Sequence, residues 1–183
     1  MDYIEHTYTI QWVGPMNYEE YKAYIRNPET LDPNLFNLYY FETRQDKRYK
    51  WRTYIGIHKQ NDGINKRVNP SHEHLGPFIK NNAEIRIWIG CFAKEDNQKP
   101  ENIDIVETLF INAYNDKFTE NQKKKFQHPK ESVCVINTYY NKNKEEIVRT
   151  KSDKPSVFDD VLIYLEEAGC FMYGNLSIIR GAI

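Results

Sequence analysis

The sequence predicts an α+β fold. Three observations carry that expectation. Short runs rich in β-branched and aromatic residues, several with strand alternation, recur at 7–13, 36–41, 53–57, 85–91 and 132–140. Two segments, 103–114 and 156–168, carry apolar residues at helical spacing. Strand-like and helix-like segments alternate irregularly and show no internal repeat, the pattern of an α+β chain.

Each element has a local reason. Residues 7–13, Thr-Tyr-Thr-Ile-Gln-Trp-Val, alternate as a strand does, and Gly14-Pro15 is expected to end it. Asn17, with Glu20 three residues on, is a capping-box signature. The helix it opens carries Tyr18, Tyr21 and Ile25 on one face and stops at Asn27-Pro28. Strands 36–41 and 53–57 flank a charged connection that includes Arg44, Lys47, Arg48, Lys50 and Arg52. Residues 61–75 read as short helical turns broken by Pro70. Ile85, Ile87, Ile89 and Cys91 alternate with Arg86, Trp88 and Gly90, a strand. Ile103, Val106, Leu109, Phe110, Ala113 and Tyr114 form a helical stripe, with Asn102 as the expected cap. A further strand is expected over 132–140. A second helix is expected from a Ser156 cap, with Val157, Phe158, Val161, Leu162 and Leu165 as its buried stripe and Gly169 at its end. A last strand is expected around Leu176 to Ile179.

The chain has 183 residues, the length of one domain, and 40% of them are hydrophobic, enough for a real core. Its 14 Tyr, 9 Phe and 3 Trp make that core strongly aromatic. Lys and Arg total 25 against 26 Asp and Glu, a formal charge of −1, which argues against a uniformly basic nucleic-acid coat and leaves room for a local basic groove. Cys91, Cys134 and Cys170 stand far apart, which fits neither a disulfide framework nor a zinc site. No apolar run approaches the ~20 residues of a membrane span. The acidic N-terminus lacks a signal-peptide core. A soluble, cytoplasmic protein is expected, and the C-terminal helix offers a surface for a homodimer.

The stretch Thr53-Tyr54-Ile55-Gly56-Ile57 has strand chemistry interrupted by a glycine, which implies that some group approaches the backbone at Gly56. If 36–41 and 53–57 form a hairpin closed over Asp46-Lys47, Tyr39 lies opposite Tyr54 and both phenols share one face.

These residues resemble the GIY-YIG nuclease family. Asn37-Leu38-Tyr39 stands where the family has Gly-Ile-Tyr, and Tyr54-Ile55-Gly56 matches Tyr-Ile-Gly. Arg67 follows where the family has its helical arginine. His72, with His74 as the alternative, stands near the family's histidine, and 105–111 resembles the helix that carries its glutamate, here Glu107. The likeness spans residues 36–121. It implies a small central antiparallel three-stranded sheet flanked by helices, with 1–35 and 122–183 as peripheral additions to a single domain. Two positions depart from the family: Asn37 replaces a glycine, and the arginine-to-histidine spacing is one residue longer.

The resemblance implies an endodeoxyribonuclease that hydrolyses DNA phosphodiester bonds with Mg²⁺ or Mn²⁺. Glu107 would be the metal ligand, since magnesium needs few protein oxygens and keeps several waters. Arg67 would clamp the phosphate. Tyr39 and Tyr54 would orient the attacking water, His72 being the alternative base. Asn121 would support the metal site, and Gly56 would leave room for the phosphate. Phosphate contacts would come from Arg48, Lys50 and Arg52, with Arg44, Lys59 and Lys66. Lys123 to Lys125 and the cluster Lys142, Lys144, Arg149 and Lys151 would extend that track. Tyr49 and Trp51 interleave aromatic surface with the basic residues. The enzyme reading requires Tyr39 and Glu107 on one side of the sheet. A catalytically quiet nucleic-acid-binding or protein-interaction module on the same scaffold is the alternative.

Overall fold

A computed structural model describes residues 4–27, 35–60, 63–143 and 154–176. It contains one seven-stranded sheet, made of β1 (His6–Met16), β2 (Leu38–Arg44), β3 (Arg52–Ile57), β4 (Glu84–Phe92), β5 (Val133–Tyr140), β6 (Val161–Leu165) and β7 (Cys170–Gly174), in the order β3-β2-β4-β1-β5-β6-β7. β1 and β5 are parallel and every other pair is antiparallel. Three helices accompany it among the described residues: α1 (Tyr18–Arg26), α2 (Gly76–Lys80) and α3 (Pro100–Ala113).

This corrects the expected small three-stranded sheet. An antiparallel β3-β2-β4 unit exists, but it is one end of a larger mixed sheet. The N-terminal strand, expected to be peripheral, takes the centre. Its Tyr8, Ile10 and Trp12 enter one core while Val13 and Met16 enter the other, so it must be covered on both faces. β1 also runs on through Gly14-Pro15, with a register irregularity between Val13 and Met16, where a strand end was expected.

The expected helix after Ser156 is a second correction. Residues 161–165 form β6 and 170–174 form β7. Val-Leu-Ile-Tyr-Leu satisfies both periods over so short a run, and pairing with β5 on one side and β7 on the other selects the strand. Leu162 and Tyr164 alternate as its buried residues, and Gly169, at φ +59, closes the hairpin to β7. With that helix gone, the dimer surface it was to supply goes too. Of the expected strand at 176–179, all but Leu176 lies outside the described residues.

Other local expectations hold. Asn17 Oδ1 accepts from Glu20 N and Glu20 Oε2 from Asn17 N, the capping box of α1. α3 forms where the apolar stripe predicts it, although Lys99 caps it with Pro100 as its first residue. Asn102 instead accepts from Tyr8 Oη at 2.9 Å.

Two cores lie on the two faces of the sheet. α3 covers one, where Trp12, Tyr40, Phe110, Tyr114, Phe118 and Phe158 pack together. Trp12 Nε1 donates to Asn137 Oδ1 at 2.9 Å, so the buried indole is satisfied. α1 and residues 64–80 cover the other face, around Tyr39, Phe41, Ile64, Val68 and Leu75.

β3 ends the sheet, and residues 117–121 pair its free edge in place of an eighth strand. Thr53 Oγ1 donates to Lys117 O, Thr53 N donates to Thr119 Oγ1, and Glu120 N donates to Thr53 O. Asn121 brackets the next outward residue: Oδ1 accepts from Ile55 N at 3.0 Å and Nδ2 donates to Ile55 O at 2.8 Å. Asn121 is buried, so its loss strands two buried backbone groups. Asn121→Ala is expected to lower stability by about 2–4 kcal/mol, measured by urea unfolding, and to speed hydrogen exchange at the Ile55 amide. Unchanged Ile55 protection would refute the clasp.

Candidate functional site

The β2–β3 register differs from the expected one by two residues. Tyr39 pairs with Gly56 and Tyr54 with Phe41, so the hairpin closes over Lys47-Arg48 rather than Asp46-Lys47. A shift of two preserves the face, and the phenols become diagonal neighbours, with stacked rings 6.0 Å apart. The register also explains Gly56. The Tyr39 ring lies across it, and a β-carbon there would overlap the Tyr39 phenol carbon and oxygen. The group that approaches the bare backbone is therefore Tyr39 itself, where a phosphate was expected.

Tyr39 is fully buried, yet its hydroxyl has a hydrogen-bond partner. His72 Nε2 lies 3.1 Å away. Nδ1 of the same ring faces the backbone N–H groups of His74 and Leu75, at 3.2 and 3.3 Å, and so must be the unprotonated nitrogen. The proton then sits on Nε2, which donates to Tyr39. The positive charge of Arg67 favours the Tyr39 anion. The neighbouring Tyr54 phenol disfavours the Tyr39 anion. Burial raises the pKa of both phenols, that of Tyr39 far above the ordinary tyrosine value. Burial, with His74 and Arg67 nearby, pushes His72 down to about 4.

Arg67 ends a single 3₁₀ turn (Ile64–Lys66) rather than riding on a longer helix. Together with Tyr54, Lys66, Asn69, Ser71 and His72 it lines a small polar pocket of about 260 Å³. His74 stacks on Tyr54 at 4.9 Å and faces Glu120 through Nδ1 at 3.3 Å. The structure thus brings Tyr39, Tyr54, Arg67, His72 and Lys66 together.

Glu107 arrives differently. It rides on α3, which packs on the face opposite Tyr39. The expected same-side placement is therefore corrected. That requirement treats the sheet as a wall, but β3 is its outermost strand and α3 packs against it. Tyr54 accordingly feels the Glu107 charge, which helps to raise its pKa. Burial raises the Glu107 carboxyl as well, leaving its side chain 12% exposed, while Lys124 works against that shift. Lys124 Nζ lies 2.8 Å from Glu107 Oε2 and 2.9 Å from Asp104 Oδ1, and Lys59 Nζ lies 2.5 Å from the same Asp104 oxygen. Two carboxylates one helical turn apart therefore share one ammonium group.

That donor set suits a hard cation, because it supplies carboxylate oxygens and already holds positive charge. Among the described residues no cluster of three or more His, Cys, Asp or Glu could hold a metal, so a bound Mg²⁺ or Mn²⁺ would draw its remaining ligands from water and substrate. Asn121 serves the β3 edge, as described above.

The basic residues of the hairpin are largely tied to carboxylates. Arg48 forms a two-pronged pair with Asp46, Arg44 contacts Glu84 at 2.5 Å, and Arg52 lies 3.6 Å from Glu120. Lys50 and Lys66 have no such pairing among the described residues, and of the later cluster residues 144–153 lie outside the description. Sequence reasoning missed Asp104 and set Lys124 in the phosphate track, whereas it pairs with Glu107. The i, i+3 spacing of Asp104 and Glu107 was a visible signal, but nothing local ties Lys124 to them across 17 residues. No helix among the described residues is long and apolar enough to cross a membrane. Comparison of the chain with protein-family models, curated proteins and solved structures found no match.

His72 contributes to the acid limb of stability. Its folded pKa, about 4, lies below the ordinary 6.5, so the unfolded chain takes up a proton that the folded chain refuses. Stability is expected to fall as pH drops from about 6.5 towards about 4. In His72→Gln that part of the pH dependence should flatten, measured by urea midpoints across the window; an unchanged slope would contradict the buried neutral ring.

Proposed function

We propose that this chain is a divalent-metal-dependent endonuclease acting on DNA phosphodiester bonds. The observation that carries the reading is the placement of the Tyr54 phenol. It stacks on Tyr39 at 6.0 Å, borders the polar pocket beside Arg67 and His72, and feels the charges of Arg67 and Glu107. The likeness of Tyr39, Tyr54, Arg67, His72 and Glu107 to the GIY-YIG pattern supports the same reading.

In this reading Arg67 grips the phosphate with its planar donors and stabilises charge that develops there. Tyr54 borders the pocket, where its phenol orients the attacking water. Its raised pKa keeps it protonated at neutral pH, so it does not strip the proton itself. Tyr39 and His72 are positioning residues. His72 has both ring nitrogens engaged, one by backbone and one by Tyr39, and is not free to act as a base. Glu107, with Asp104 beside it, would hold the metal, which neutralises charge on the phosphate when bound.

The expected outcome with supercoiled plasmid is nicking that needs Mg²⁺ or Mn²⁺. Glu107→Ala abolishes it, and Arg67→Ala lowers it by roughly 10²–10³-fold. Tyr54→Phe should slow it more than Tyr39→Phe at equal stability. Metal-independent nicking, or nicking indifferent to Glu107, sinks the reading.

One observation favours the quiet binding module instead: the Lys124 ammonium already occupies the Glu107 carboxylate. A metal must displace it. Lys124→Met is therefore expected to tighten Mn²⁺ binding several-fold at pH 8, measured by titration calorimetry with no DNA present. If neither the parent chain nor Lys124→Met takes up Mn²⁺, while DNA still binds, the module reading stands.

A further inference from the structure

Beside the polar pocket lies a larger cleft of about 810 Å³, and the two share Glu73 and His74 in their linings. The cleft is walled by Tyr49, Trp51 and Phe78, with Arg44, Lys50 and Arg52 between them. Tyr49 is 57% exposed, an unusual position for a large aromatic ring. Trp51 carries the guanidinium groups of Arg44 and Arg86 at 4.2 and 4.7 Å, and Arg52 lies 5.8 Å from the Phe78 ring. The platform is therefore held by cation–π contacts before any ligand arrives.

The charge bookkeeping of this cleft decides what it recognises. Arg44 is neutralised by Glu84, and Arg52 faces Glu120, which also meets His74. Glu73 adds a further negative group to the lining. A track for duplex backbone needs several unpaired cations, because its affinity comes from displacing counterions. Here only Lys50 is left without a carboxylate partner among the described residues, while aromatic surface stands open. That balance suits stacking of an unpaired base, with Lys50 for its phosphate.

We propose that the cleft binds an unpaired nucleotide adjoining the phosphate held at Arg67, so that the substrate is DNA with a single-stranded segment next to the cutting point. The proposal rests on the nuclease reading for the position of that phosphate. Base binding in the cleft is measured without cleavage, so the two fail separately.

The test is fluorescence anisotropy with the full chain in EDTA, using three labelled oligonucleotides: a blunt duplex, the same duplex with a single-stranded tail, and the tail strand alone. The tailed duplex is expected to bind at least about tenfold tighter than the blunt one. Tyr49→Ala should weaken binding of the tailed duplex roughly 5- to 150-fold, the range of one lost base stack. Tyr49→Phe should restore it, and circular dichroism should show both variants folded. Affinity for the tail should fall only weakly with salt, since few phosphates are contacted. Equal binding of blunt and tailed duplexes, no binding to any of the three, or indifference to Tyr49→Ala overturns the proposal. Plasmid nicking could persist through each of those outcomes, and its absence would leave a positive anisotropy result standing.

Discussion

The candidate site depends on how the edge of the sheet is held. β3 has one neighbour strand, and on its outer side residues 117–121 supply the hydrogen bonds that a further strand would have made. An unheld edge strand frays and invites pairing with other chains. Held from both sides, β3 fixes Tyr54 between two clasped residues, Thr53 and Ile55. The same segment runs on to Lys124, which reaches back to α3. One stretch of loop therefore positions both the phenol and the cation that faces the Glu107 carboxylate.

On the inner side the constraint is steric. Tyr39 crosses the bare backbone of Gly56, and its oxygen is met by His72. A buried hydroxyl is costly unless its partners are supplied, and a fully supplied one is rigid. The direction of the proton in the His72–Tyr39 bond follows from His72, whose Nδ1 is capped by backbone N–H groups. That cap sends a donor to Tyr39. The outer phenol, Tyr54, lines the polar pocket.

Charge near the site is nearly balanced internally. Asp104, Glu107, Lys59 and Lys124 form a closed set on one side, and Arg44, Arg52, Glu84 and Glu120 pair off on the other. Burial works against the Asp104 anion, but hydrogen bonds from Lys59 and Lys124 hold its pKa below the usual carboxylate value. Burial dominates at Glu107 and holds its pKa above it. Two carboxylates one turn apart thus have opposite tendencies, set by depth rather than by identity.

Local chemistry was legible in the sequence. The Asn17/Glu20 capping box, the apolar stripe of α3 and the alternation of β4 are each written in neighbouring residues, because capping and periodicity act over a few positions. The shared face of Tyr39 and Tyr54 was also legible, since a two-residue register shift preserves it. The strand β6 was not, because five residues satisfy two periods equally and only pairing with β5 and β7 selects one. The sequence by itself determined which residue types were on hand: a glycine beside two tyrosines, an arginine, a histidine and a helical glutamate. Tertiary structure alone decided that β1 lies at the centre, that Tyr39 rather than a ligand covers Gly56, and that Lys124 rests on Glu107. Those outcomes depend on contacts between residues far apart in the chain, whose energies no local pattern encodes.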